Sequence, residues 1–297
     1  MKVNLSHPKY ATRWLKTLSP HPEYGLFFKR SKFYPQNYLG FSFKTNHHGL
    51  RGDGSLNSNT VIVGTSFATG VGVNEGENWY QLDESLLDCF NVGMPVGLSN
   101  HLSRIRDIYE GNYENCIYLY HPNHLITSKI YYDSQINGKD IFDHMKWGIK
   151  FHDYLLQRLK YPLKTFSKTM TGRLVYDENH QLDKNYCYFD TSADDEFIKK
   201  EILTFADVFR NFKKIFFIRI PIKEELSDLE SFSSLKKNIL ENYKFIKSNL
   251  DSRIIHFDFS KEFKLHHYHE IDNHWNKEGN LHFYRLLKNK LYSKIHF

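Results

Sequence analysis

Ser66 stands at the end of Thr60-Val61-Ile62-Val63-Gly64-Thr65, an apolar, β-branched run too short for a helix and suited to a strand buried on both faces. Gly64 allows a tight turn there, so the hydroxyl emerges just past the carboxyl end of the strand, where open α/β sheets bind their ligands. Far along the chain, Asp272 and His274 flank one residue in Ile271-Asp272-Asn273-His274-Trp275-Asn276. In an extended segment both side chains point to the same side. Serine is a weak nucleophile until a base takes its proton, and that base needs a third group to fix its tautomer. Ser66, His274 and Asp272 are the residue types for nucleophile, general base and orienting acid. The competing readings are a loop-capping hydroxyl, a histidine at a helix entry and an aspartate N-cap.

Four segments resemble the conserved blocks of the SGNH or GDSL hydrolases. Gly64-Thr65-Ser66-Phe67 is similar to the first, usually Gly-Asp-Ser; Asn91-Val92-Gly93-Met94-Pro95 to the second; Tyr118-Leu119-Tyr120-His121-Pro122-Asn123-His124 to the third; and Asp272-Asn273-His274-Trp275-Asn276 with Gly279 to the last. Thr45-Asn46-His47-His48-Gly49-Leu50-Arg51-Gly52 resembles the lead-in of bacterial members. The resemblance implies an oxyanion hole from the backbone N–H groups of Ser66 and Gly93 and the Asn123 amide. It also places His124 and Trp275 where they could touch substrate. Two positions depart from the pattern, Thr65 and His124, each where the family usually has aspartate. Threonine could hold the loop in part by hydrogen bonding.

The implied chemistry is hydrolysis of a carboxylic ester, a short acyl group on a carbohydrate or another polar acceptor, through an acyl-enzyme and without a cofactor. Two alternatives stay open: an O-acyltransferase that uses the same triad, and a degenerate relative that binds without reacting. A metal reading of His266, His267, His269, Asp272 and His274 lacks any known zinc spacing, and no metal is expected.

The elements that must position these residues follow from periodicity. Strands are expected at 60–63, 89–92, 115–120, 214–220 and 253–257. Helices are expected at 79–87, 99–109 with Ser99 as N-cap, 194–212, 231–249 and 277–293. This alternation predicts a three-layer α/β/α sandwich, flavodoxin-like, with a mainly parallel five-stranded sheet. Residues 1–58 read as an irregular lead-in packed on the domain, 59–297 as the domain itself, and 126–193 as an insertion or lid.

Composition narrows the functional classes. With 40% hydrophobic residues, 24 Phe and 20 Tyr, the chain of 297 residues can fill a large core. Its net charge of +6 comes from 40 Lys and Arg interspersed with 34 Asp and Glu, which is a solvated surface rather than a nucleic-acid footprint. Cys89, Cys116 and Cys187 have no spacing for zinc or a redox dithiol, which suits a reducing compartment. Without a leader-like apolar segment or a run of about 18 apolar residues, the protein is expected in the cytoplasm with no membrane span.

Overall fold

The computed structural model describes residues 18–21, 25–34, 41–52, 56–83, 89–94, 96–122, 124, 195–228, 230–269 and 274–291. The expected insertion at 126–193 lies outside them, as do Asn123, Asp272 and Cys187.

Five parallel strands form the central sheet: β5 (Thr60–Gly64), β6 (Phe90–Asn91), β7 (Asn115–Tyr120), β8 (Lys214–Arg219) and β9 (Ile254–Asp258), in the order β6-β5-β7-β8-β9. Taken by sequence within the sheet, that order is 2-1-3-4-5, the flavodoxin-like arrangement, whose switch point lies beside its first strand. Alternate residues serve opposite faces. Val61, Val63, Cys116, Tyr118, Ile215 and Phe217 enter one core, while Ile62, Ile117, Leu119, Phe216 and Ile218 enter the other. Helices α2 (Leu98–Ile108), α3 (Asp195–Phe209) and α4 (Ser233–Asn249) cover the first face. The second is covered by the one-turn helix α1 (Ser66–Thr69), by Trp79 and Tyr80, and by α5 (Lys277–Leu291).

The lead-in contains more regular structure than expected. Two short antiparallel pairs occur, β1 (Leu18–His21) with β2 (Gly25–Phe28) and β3 (Phe33–Tyr34) with β4 (Phe43–Lys44). Phe28, Tyr34, Phe41 and Phe43 form a third core with Val71, Met94 and Val96, so this segment packs on the loops that follow β5 and β6.

Two helix starts differ from expectation. In place of a helix from residue 79 there is a single 3-10 turn, Trp79–Gln81, before the described residues break off at 83. Its geometry is set by distant partners: the Trp79 indole N–H donates to Phe67 O (3.2 Å) and its backbone N–H to Asn280 Oδ1 (3.2 Å). Helix α2 is capped by Gly97 rather than Ser99, and Asn100 Oδ1 accepts the Gly97 N–H at 3.1 Å, closing the first turn from within.

Candidate active site

Strand β5 lies between β6 and β7, and its chain leaves the sheet at Gly64 to enter α1. Thr65 caps that turn in an extended conformation, its carbonyl accepting from Ala68 N–H at 3.0 Å, and Val71 N–H closes back on Ser66 O at 2.9 Å. Ser66 is thus the first residue of a tight turn at the carboxyl end of a buried strand. A backbone N–H in that position has no acceptor one turn back.

His274 reaches the same point from the other end of the chain. Tyr268 and Trp275 form an isolated antiparallel bridge, and His269 N–H donates to His274 O at 3.0 Å, so the two segments pair antiparallel as the two stems of a hairpin. His274 Nε2 lies 2.7 Å from Ser66 Oγ, a hydrogen bond between residues 208 positions apart. With the ring proton on Nδ1, Nε2 accepts the serine O–H, the arrangement a general base requires. The imidazole packs beside Phe67, which also stacks on His121 with ring centroids 4.4 Å apart.

Asn91, within the second block, ties the two strand ends together. Its Nδ2 donates to Ala68 O and its Oδ1 accepts from Gly93 N–H, each at 2.8 Å. This corrects the role expected for Gly93. Its N–H is committed to Asn91, and what the glycine supplies is close approach: a Cβ there would lie 2.6 Å from Ala68 Cβ and 2.8 Å from Thr69 N. Thr69 Oγ1 donates to Gly93 O at 2.5 Å, completing the weld. Thr65 does not take over the aspartate's hydrogen bonding, since its hydroxyl is buried with no partner among the described residues. Asn91 and Thr69 hold the loop instead.

The two residues expected to touch substrate sit in the interior. His124 is 1% exposed, and its Nδ1 lies 2.7 Å from the Tyr118 hydroxyl. Burial pulls its pKa down to about 3, so it stays neutral. His101 and His121 are likewise pushed well below the usual histidine range, chiefly by burial. Trp275 is 1% exposed and stacks on Phe263 with centroids 4.8 Å apart, so it anchors the His274 hairpin in the core beneath the site.

Several supporting roles were not assigned from the sequence, including those of Arg51 and Asn276, which it placed only within motifs. Arg51, in the lead-in, is buried and donates from Nη1 to Gly70 O and from Nη2 to Val73 O (2.7 Å), bracketing the loop that leaves α1. Asn276 fastens the far stem of the hairpin, its Nδ2 donating to His266 O (2.7 Å) and Tyr268 O (3.0 Å). Tyr268 and Lys223 attach the near stem to the segment after β8, through Tyr268 Oη to Pro221 O (2.8 Å) and Lys223 Nζ to His269 O (2.7 Å).

Among the described residues, His266, His267 and Glu278 bring one metal-ligating atom each within 4.8 Å of one another. His267 Nδ1, however, accepts the Lys264 N–H at 3.1 Å, which leaves the neutral ring's proton on Nε2. Neither nitrogen then has a lone pair to give, and two ligands fall short of a zinc site.

Comparison of the chain with protein-family models returned no match, and comparison with curated proteins returned none.

Proposed function

We propose that this protein is an SGNH-type serine hydrolase that cleaves a carboxylic ester, a short acyl group on a carbohydrate or similar polar acceptor. The observation that carries this reading is the 2.7 Å contact between Ser66 Oγ and His274 Nε2 at the carboxyl end of the sheet, beside its switch point. In this mechanism Ser66 Oγ attacks the ester carbonyl as its proton passes to His274 Nε2. The resulting oxyanion is received by Ser66 N–H and the Asn123 amide, and Asp272 holds the imidazole with its proton on Nδ1. The tetrahedral intermediate collapses, the alcohol departs with the proton from Nε2, and an acyl-serine remains. Water then gives a proton to His274 and its oxygen to the acyl carbon, and Ser66 recovers its proton as the acid leaves. The reaction belongs in a reducing, cytoplasmic setting, which suits the buried cysteines Cys89 and Cys116. No described helix is long and apolar enough to cross a membrane.

The test is labelling by a fluorophosphonate together with turnover of a chromogenic acetyl ester. Stoichiometric modification of Ser66 is expected, with turnover reduced at least ~10³-fold in folded Ser66→Ala and His274→Ala. An unlabelled Ser66, or activity retained in either variant, refutes the proposal.

A further inference from the structure

The hairpin that carries His274 is bound on one side to the segment after β8, but those bonds do not reach Ser66. Tyr268 and Lys223 fix its near stem, Asn276 fixes its far stem, and all three could remain while the imidazole swung away from the hydroxyl. Phe67, next to Ser66, packs against Tyr268, His274 and Trp275, and a hydrogen-bonded link across to the serine's own loop comes from His269. Its Nε2 lies 2.7 Å from Gly72 O, a contact spanning 197 positions, and a carbonyl accepts only, so Nε2 carries the proton and donates. At the same residue the backbone N–H donates to His274 O. One residue therefore grips the loop after Ser66 with its side chain and the base with its main chain.

Gly72 is shaped for this approach. Its φ is +110°, and a Cβ would fall 2.7 Å from Trp275 O and 3.0 Å from His269 Nε2. Any side chain at 72 would push the hairpin off the nucleophile loop. Gly72 is itself held by its neighbours, since Arg51 takes the carbonyls on either side, at Gly70 and Val73.

We infer that His269 is the positioning residue of the Ser66–His274 pair, acting through its Nε2–H···O=C bond to Gly72. The inference rests on the hydrolase reading for its consequence in rate, but the geometry it asserts stands apart from any activity. Misplacing a catalytic group by about 1 Å can cost on the order of 10²-fold in rate.

The deciding comparison is His269→Gln against His269→Asn in the full chain. A glutamine amide nitrogen can occupy the place of Nε2 and donate to Gly72 O, whereas asparagine reaches only the place of Nδ1. Fluorophosphonate labelling of Ser66 should slow by roughly 10–10²-fold in the Asn variant and stay within about threefold in the Gln variant. A second readout needs no activity. The Cε1–Hε1 resonance of His274, assigned by its loss in His274→Asn, should move when Ser66 is replaced by alanine in the native and Gln backgrounds but not in the Asn background. If the Asn variant does not fold, Gly72→Ala takes its place with the same expectation. An undiminished response of His274 to Ser66→Ala in the Asn variant, or unchanged labelling of it, overturns the inference. Absence of labelling in the native protein with the resonance pattern as expected sinks the hydrolase reading and leaves the positioning role standing.

Discussion

Two buried ionisable side chains flank the candidate site, and they are treated in opposite ways. Arg51, on the lead-in side, donates to two backbone carbonyls, lies 3.6 Å from a Glu75 carboxylate oxygen and packs its guanidinium over the Phe43 ring at 5.0 Å. Glu224, in the 3-10 turn Lys223–Leu226 beside the His274 hairpin, is 1% exposed, and neither carboxylate oxygen has a hydrogen-bond partner among the described residues. Its neighbour Glu225 takes the available cation, Arg219, which also bonds Asp258 at 3.0 Å. A buried charge held in this way acts as a strut even though Arg51 Nε itself has no hydrogen-bond partner among the described residues, because its removal strands the groups it served. A buried acid without partners keeps its proton, and burial raises the Glu224 pKa to about 8.

The contrast can be broken most severely at Arg51. Arg51→Ala is expected to cost about 3–5 kcal/mol in urea unfolding, since it leaves two carbonyls and a cavity in the interior. Arg51→Lys should recover part of that loss, because an ammonium can serve one carbonyl but not bracket both. A loss below about 1 kcal/mol for the alanine variant would mean that the loop after Ser66 holds itself.

Glu224→Gln should act in the other direction, by up to about 3 kcal/mol near pH 7. The folded protein keeps the Glu224 proton up to about pH 8, whereas the unfolded chain releases it near the ordinary value of 4.5. Its contribution is therefore fully present below about pH 4.5 and declines as pH rises to about 8. Glutamine cannot ionise, so the variant's advantage in melting temperature should grow over that window and vanish toward its acid end. The buried histidines give the opposite slope. His124 stays neutral down to about pH 3 when folded, while the unfolded chain binds a proton below the ordinary 6.5, so stability is lost as pH falls through that range. Equal melting temperatures for the native protein and Glu224→Gln at pH 5 and at pH 8 would show that the carboxyl is not desolvated.

The smallest effect is expected where a charge is paired in water. Lys277 Nζ meets Glu77 Oε1 at 2.9 Å with most of the lysine exposed. Lys277→Ala should change unfolding free energy by less than about 1 kcal/mol. A larger loss would extend strut behaviour to the surface.

How much of this was legible in the sequence depends on how local each cause is. The alternating residues of Asn115–Tyr120 and Lys214–Arg219 declare strands, and the structure has them at those positions, because both sheet faces must be filled. The run into Ser66 was legible for the same reason. The Trp79 segment misleads because its spacing is helical while its indole and backbone N–H are claimed by Phe67 and Asn280. Gly93 was visible as part of a motif, yet the direction of its N–H depends on the Asn91 side chain two residues away. Arg51, His269 and Gly72 work through backbone carbonyls in other segments. A carbonyl belongs to every residue, so bonding to one leaves no mark in composition or spacing.

The long separation between Ser66 and His274 also has a consequence in time. Ribosomes add roughly 5–20 residues per second, so the hydroxyl is synthesised about 10–40 s before the imaginable partner 208 positions downstream exists. For that interval a nascent chain can build the strand and turn around the serine but not pair its hydroxyl with the imidazole. The contact is thereby deferred until translation has passed the last strand of the sheet.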